Sequence, residues 1–136
     1  PPALSVRPVF QETFSLVLPK KHSLNARNFS SLSQLKEEPF IFFEKSYSPS
    51  YHEKVMSMFE DCGFSPHVSH TSVHATTIYR LVENNFGVAI VPSSLKLGYN
   101  MDVKFIELKS ITQRAVLSIA WNQENRNPML SHFLSV

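Results

Sequence analysis

Two short, unbroken apolar runs constrain the fold of this chain more than any other feature. They are FIFF, residues 40–43, and GVAIVP, residues 87–92. Each run has the length of a strand and lacks alternating polar positions, so both faces of each strand must be covered. A sheet covered on both faces is typical of proteins in which helices flank parallel strands.

Amphipathic helical patterns lie between the two runs. The first is predicted from about Pro49 to Cys62, with Ser48 as its N-cap and Gly63 as its stop. The second is predicted within HATTIYRLVENN, which starts at residue 74. Their predicted apolar faces comprise Val55, Met56, Phe59 and Cys62 in the first helix, and Ile78, Leu81, Val82 and Phe86 in the second.

Shorter segments complete the order of elements. FSLVL, HVSHT, VKFIEL and AVLSIAW are predicted strands, and SSLSQLKEEPF is a predicted short helix in which Ser31 and Gln34 form a capping box. SSLKLG is predicted to form one helical turn stopped by Gly98, and a last helix is predicted to begin at Asn127. The alternation predicts an α/β fold with a mostly parallel sheet flanked by helices.

Composition narrows the class of protein. The 136 residues suffice for one domain, and the 13 basic and 11 acidic residues are scattered, so this chain itself is not expected to bind nucleic acid. The single cysteine, Cys62, excludes an internal disulfide and fits a cytoplasmic protein, and no apolar run is long enough for a membrane span. Because the chain lacks an initiator Met and ends within a helical pattern, we expect it to be a piece of a longer protein.

Three histidines fall within eight residues, at His67, His70 and His74. A zinc site requires ligands that converge at about 2.1 Å from one metal ion. With His67 and His70 on a strand and His74 at a helix start, residues three apart point to opposite faces and cannot close around one ion. We therefore predict neither a metal site nor a cofactor here.

The loops that follow two predicted strands are the better candidate for a site. In open α/β sheets, ligands bind beyond the carboxyl ends of the strands, where helix N-termini present unpaired N–H groups. Thr71, Ser72, Thr76 and Thr77 place hydroxyls at one such end, and EKSYSPS places hydroxyls and Lys45 at the other. We predict that these loops bind a small anion. The alternatives are that Thr71 or Ser72 only caps the helix and that Lys45 is only a solvated charge.

Catalysis is not supported by the sequence. Cys62 lies near a predicted helix C-terminus, where the helix dipole disfavours a thiolate, and no G-x-S-x-G elbow is present. Three glycines at positions 63, 87 and 98 are too far apart to form a phosphate loop or a dinucleotide fingerprint. We predict a binding protein, not an enzyme.

The same segments resemble a known family. FSLVLPKKHSL, SLSQLKEEPFIFF, YHEKVMSMFEDCGFSPHV, LVENNFGVAIVPSS and LSIAWNQENRNPMLSHFL, in this order and spacing, resemble the effector-binding domain of LysR-type transcriptional regulators. No single segment is specific, but their combination covers nearly the whole chain. Asn85 stands where the family often has glycine, and Asn tolerates the left-handed turn expected there.

The resemblance implies a periplasmic-binding-protein-like fold of type II with an effector cleft between two subdomains. Residues 13–109 would form subdomain II essentially complete, and residues 1–12 and 110–136 would be fragments of subdomain I. The implied effector-binding residues are Phe43, Glu44, Lys45, Ser46, Thr71, Ser72, His74 and Thr76.

The resemblance also implies partners. Such regulators assemble as dimers or tetramers through these domains, so the helix carrying Val55 and Phe59 is a candidate contact surface; the alternative is that its apolar face is only core. DNA would be bound only through an N-terminal helix-turn-helix that this chain does not include. The alternative is a solute-binding protein of a transporter, which shares the architecture.

Overall fold

A computed structural model describes the backbone of residues 4–46, 48–96 and 100–122, and within them the side chains of residues 11–116. The predicted stop at Gly98 and the predicted helix from Asn127 lie outside the described residues. The strands and helices are β1 (Leu4–Glu12), β2 (Phe14–Pro19), β3 (Pro39–Phe43), α1 (Pro49–Cys62), β4 (His67–Ser72), α2 (Ala75–Glu83), β5 (Val88–Pro92), β6 (Val103–Glu107) and β7 (Ala115–Asn122). Two 3₁₀ turns, Leu32–Leu35 and Ser93–Lys96, lie between them.

Five strands form one sheet in the order β4-β3-β5-β2-β6. The strand β3 pairs in parallel with β4 and with β5, whereas β2 pairs antiparallel with β5 and with β6. The strands β1 and β7 form a separate antiparallel ribbon. The α/β class is therefore confirmed, with a sheet that is mixed: only β3, β4 and β5 are joined by helical crossovers, which parallel neighbours require.

Local signals for helix ends are confirmed. Ser48 caps α1 and precedes proline at the first helical position, and Gly63 ends that helix with a left-handed φ of 78°. Ser31 and Gln34 form the expected capping box on the 3₁₀ turn. None of the described helices is long and apolar enough to cross a bilayer.

The apolar face of α1 is part of the core. Phe59 packs edge-on against Phe40 of β3, with ring centroids 5.0 Å apart, and it also contacts Phe42. The buried residues of α1 are Tyr51, Val55, Met58 and Phe59, whereas the predicted Met56 and Cys62 are only half-buried. Because Val55 and Phe59 are wholly enclosed, that face is not available as a contact surface for a second copy.

The apolar face of α2 differs from the prediction at its end. Ile78, Tyr79 and Val82 are buried, but the predicted Leu81 is only half-buried and Phe86 is 52% exposed. The helix ends at Glu83, and Asn85 adopts a left-handed φ of 65°, which turns the following residue away from the helical repeat. Phe86 then lies against the ring of His70 on β4, with centroids 5.7 Å apart.

We expect that the sheet leaves no room for a side chain at Gly87. A Cβ atom built there would lie 2.6 Å from the carbonyl oxygen of Pro39, whereas one at Gly63 would meet nothing within 4 Å. Since Asn tolerates a left-handed φ, Gly63→Asn should cost less than about 1 kcal/mol. Gly87→Asn should lower the free energy of unfolding by about 2 kcal/mol or more, because backbone must move. Urea denaturation of both variants checks this, and equal losses would contradict it.

Candidate functional site

The carboxyl ends of β3 and β4 lie side by side. In the parallel register, Phe43 is opposite Ser72, and the N–H of Glu44 donates to the carbonyl oxygen of Ser72 at 3.1 Å. The loop after β3 and the loop after β4 therefore start from the same edge of the sheet, as the sequence predicts. We call this edge, formed by residues 43–46, 48 and 71–76, the rim.

At the rim, two successive connections, β3–α1–β4 and β4–α2–β5, leave the sheet in different directions. The chain passes from β3 through α1 outward to β4, and then from β4 through α2 back past β3 to β5. Right-handed crossovers that travel in opposite directions place their helices on opposite faces of the sheet. The first turns of α1 and α2 consequently separate at the rim, and the space between two such connections is where open α/β sheets bind ligands.

The loop after β3 exposes charged and polar side chains above a fixed base. Glu44, Lys45 and Ser46 are exposed. The N–H of Ser48 donates to the carbonyl oxygen of Glu44 at 3.4 Å, and the hydroxyl of Ser48 accepts from the N–H of Tyr51 at 3.4 Å. Phe43 is buried against Tyr51, with ring centroids 5.2 Å apart, so it supports the loop from within the core.

The loop after β4 leaves the first turn of α2 without a side-chain cap. His74 is the N-cap residue, and its side chain makes no capping hydrogen bond within the described structure. The expectation that Thr71 or Ser72 caps this helix is therefore wrong. The hydroxyl of Ser72 instead accepts from the N–H of His74 at 3.0 Å, which orders the turn that precedes the helix. Thr71, His74 and Thr76 are exposed beside this turn.

A third strand end adds residues that the sequence-based prediction missed. Immediately after β5, the N–H and the hydroxyl of Ser94 donate to the two carboxylate oxygens of Glu12, at 2.6 and 3.0 Å. Glu12 is the last residue of β1, so this bidentate contact ties the β1–β7 ribbon to the end of β5. The available signal was the pair of serines directly after the buried strand, in the same position as the hydroxyls that follow β3 and β4.

A chain of hydroxyls continues from that contact into the sheet. The Ser93 hydroxyl lies 2.7 Å from the hydroxyls of both Thr13 and Ser15, and Thr13 donates to the carboxylate of Glu107 at 2.8 Å. Ser15 is fully buried, so these bonds satisfy a polar group that water cannot reach. The ribbon thus leaves the sheet at the edge where β3, β4 and β5 end.

Tyr51 of α1 lies where the backbone pairing between β3 and β5 ends. The pairing of β3 with β5 is limited to Phe40 with Val88 and Ile41 with Ala89. Beyond it, the Tyr51 hydroxyl donates to the carbonyl oxygen of Ile90. Burial raises the pKa of this hydroxyl well above its usual range, and a backbone hydrogen bond with Phe43 opposes that effect. The first turn of α1 is thereby fixed to the sheet beside the rim.

The three histidines do not converge. His67 and His70 are exposed on β4, where the pairing with β3 is irregular between Phe40 and Ile41, and the His70 ring contacts the hydroxyl of Ser69 at 3.0 Å. Among the residues whose side chains the structure describes, no three His, Cys, Asp or Glu side chains are arranged to hold a metal ion. The polar groups of the rim are hydroxyls, backbone N–H groups, the His74 imidazole and the opposite charges of Glu44 and Lys45.

A shallow groove lies at the other end of the strands, away from the rim. Its lining comprises Pro19, Lys20, Lys21, Glu83, Asn85 and Asp102. The N–H of Asp102 donates to the carboxylate of Glu83 at 3.1 Å, and the lining mixes acidic and basic side chains. This mixed, open surface does not share the converging strand ends that distinguish the rim.

Comparison with known proteins decides the family. The family model for the LysR substrate binding domain matches residues 1–136. The chain belongs to this family. It is 35% identical over 130 residues to the HTH-type transcriptional regulator TtuA of Agrobacterium vitis, covering 92% of this chain and 42% of that protein. The chain spans less than half the length of the curated relatives it matches.

Solved structures of the family share the fold. The BenM effector binding domain with its effector benzoate matches with a TM-score of 0.72 at 19% identity, covering 98% of this chain and 61% of that one. The effector binding domain of QuiR in complex with shikimate matches with a TM-score of 0.68 at 20% identity, covering 98% and 63%. At these identities the likeness shows the LysR effector-domain fold, of the periplasmic-binding-protein type II.

Tyr51 should make the stability of the domain fall at high pH. The folded state keeps the proton on Tyr51, whose pKa is raised, whereas an unfolded tyrosine loses its proton near pH 10. The unfolded state then binds fewer protons, so its relative free energy falls as pH rises above about 10, by up to about 1.4 kcal/mol per pH unit.

Urea denaturation between pH 8 and pH 11, on the wild type and on Tyr51→Phe, measures this dependence. At pH 8 the variant should lose about 1–3 kcal/mol, because the carbonyl oxygen of Ile90 loses its donor. The difference between the two proteins should shrink as the pH rises. A constant difference would contradict the assignment.

Proposed function

We propose that this chain is the ligand-sensing part of a LysR-type transcriptional regulator and that its effector binds at the rim. The single observation that carries the proposal is the pairing of Glu44 with Ser72, which brings the ends of β3 and β4 together with the start of α1 and of α2. Membership of the LysR substrate-binding family supports the functional class. In this proposal, residues 13–109 form subdomain II, and the opposite wall of the cleft comes from subdomain I.

The proposed effector is a small carboxylate. The uncapped first turn of α2 offers N–H groups that favour an anion, and the hydroxyls of Thr71 and Thr76 offer further donors. Lys45 contributes a cation, while Glu44 favours an effector that also carries hydroxyl groups. The ligands in the BenM and QuiR structures, benzoate and shikimate, are both carboxylates, which supports the same class here.

The mechanism we propose is a shift between two arrangements of the subdomains. An effector that contacts both walls of the cleft favours the closed arrangement by its differential affinity for that state. The closure angle would alter the spacing of DNA-binding domains attached elsewhere in a dimer or tetramer. The protein would act in the cytoplasm, and DNA would be contacted by a helix-turn-helix outside this chain.

Two other classes of function are less well supported. A solute-binding protein of a transporter shares the architecture. TtuA and other relatives that match this chain are, however, transcriptional regulators. An enzyme would require an acid and a base aimed at one point, whereas the relatives that match this chain are transcriptional regulators. We therefore propose binding without catalysis.

A thermal-shift measurement on the intact regulator that carries this domain tests the class of ligand. Benzoate, shikimate and succinate form the carboxylate panel, and benzamide is the matched neutral control. A carboxylate at one hundred times its Kd should stabilise the native state by about 2.7 kcal/mol, which raises Tm by several degrees. Equal shifts with benzamide, or flat curves with the whole panel, would refute an anion site.

Substitution at the rim tests its place in induction. Replacing both Thr71 and Ser72 with alanine in the intact regulator should abolish the response to the inducing carboxylate and leave operator binding intact. The reason is that the double variant removes the exposed Thr71 hydroxyl and the Ser72 bond that orders residues 72–74. Reporter expression and a gel-shift assay measure the two properties. The control is Thr112→Ala, an exposed threonine outside the rim, and unchanged induction in the double variant would show that the loop is only structural.

A further inference from the structure

The segment that leads into β7 is attached to the body of α1. The ammonium group of Lys54 donates to the carbonyl oxygen of Arg114 at 2.8 Å. The side-chain amide of Gln113 donates to the hydroxyl of Ser57 at 3.0 Å and to the carboxylate of Asp61 at 2.8 Å. Three bonds therefore join one side of α1 to the two residues that directly precede β7.

The attached segment is itself held together. The guanidinium of Arg114 donates to the carbonyl oxygens of Ile111, Gln113 and Lys109, the last two at 3.0 and 3.3 Å. These bonds close residues 109–114 into one turn. A movement of α1 would consequently displace the turn as a unit, and β7 begins at the next residue, Ala115.

The amide of Gln113 is only half satisfied. Both of its N–H groups have acceptors, but its carbonyl oxygen Oε1 is buried and accepts no hydrogen bond from any residue in the described part of the chain. The Gln113 side chain thus holds the turn on α1 through its N–H groups alone.

The two ends of α1 therefore contact different functional parts. Its first turn holds Ser48 and Tyr51 beside the rim, and its later turns hold Gln113 at the root of the β1–β7 ribbon. We propose that Gln113 is a positioning residue that couples displacement of the α1 N-terminus to the ribbon. This rests on the proposed function in one respect: only if the rim binds the effector does the coupling transmit effector occupancy.

The test needs no ligand. Hydrogen–deuterium exchange is measured on the intact regulator that carries this chain, as wild type, Tyr51→Phe, Gln113→Ala and the double variant. Tyr51→Phe perturbs the rim end of α1 by removing the bond to Ile90. The measured quantity is a ratio: the exchange rate of the backbone amides of β7 divided by that of the backbone amides of β6, the outermost strand on the other side of the sheet. A uniform loss of stability raises both rates and so cancels in this ratio.

We expect Tyr51→Phe to raise this ratio about fivefold when Gln113 is present, a factor that corresponds to the loss of about one hydrogen bond. In the Gln113→Ala background, Tyr51→Phe should leave the ratio unchanged within twofold. The same factor in both backgrounds, or no change in either, would overturn the coupling, because a merely structural Gln113 would add its effect independently.

Two further variants complete the design. Thr112→Ala, next to Gln113 and exposed, should leave the effect of Tyr51→Phe intact. If Gln113→Ala does not fold, Ser57→Ala removes one of its two acceptors and should reduce the effect in the same direction. Because no carboxylate is present, the coupling can fail while carboxylates still raise Tm, and the reverse result is equally distinguishable.

Discussion

The parallel pairing of β3 with β4 is the constraint on which the rest of the structure depends. Their register places Phe43 opposite Ser72, and one backbone bond, from Glu44 to Ser72, continues the ladder into the loops. A slip of one residue would turn every side chain of β4 to the other face and would separate the two loop starts. The position of both helix N-termini, and hence the rim, follows from this register.

The register is enforced by burial on β3, since β4 contributes little to it. Every residue of β3 from Phe40 to Phe43 is buried, and Phe40 and Phe42 are held by Phe59 of α1. The edge strand β4, in contrast, has no fully buried residue and contains a bulge near Ser69. Polar residues are tolerated along β4 because this edge strand is exposed to water. A strand as rich in polar residues as HVSHTS can therefore supply the exposed hydroxyls of the rim.

The sequence predicted the parts of the fold that local physics determines. The buried strands β3 and β5 follow from unbroken apolar runs, and the ends of α1 follow from Ser48 and Gly63, because a cap needs only its neighbours in the chain. The antiparallel direction of β2, the β1–β7 ribbon and the contact of Glu12 with Ser94 depend on residues about 70 to 120 positions apart. No local pattern encodes such pairs, so the sequence could place hydroxyls at strand ends without showing which of them already have partners.

The partnered and the exposed hydroxyls have different roles at this edge of the sheet. The hydroxyls of Thr13, Ser93 and Ser94 form hydrogen bonds that fix the ribbon to the sheet. Thr71 and Thr76, in contrast, are exposed to solvent. The strand β1 is thus attached at the end of β5, and β7 is attached to α1 through residues 113 and 114. Both attachments are to elements that begin or end at the sheet edge containing the rim. A ligand that moves α1 relative to β5 must therefore strain one attachment against the other, and the ribbon between them is the element that can respond.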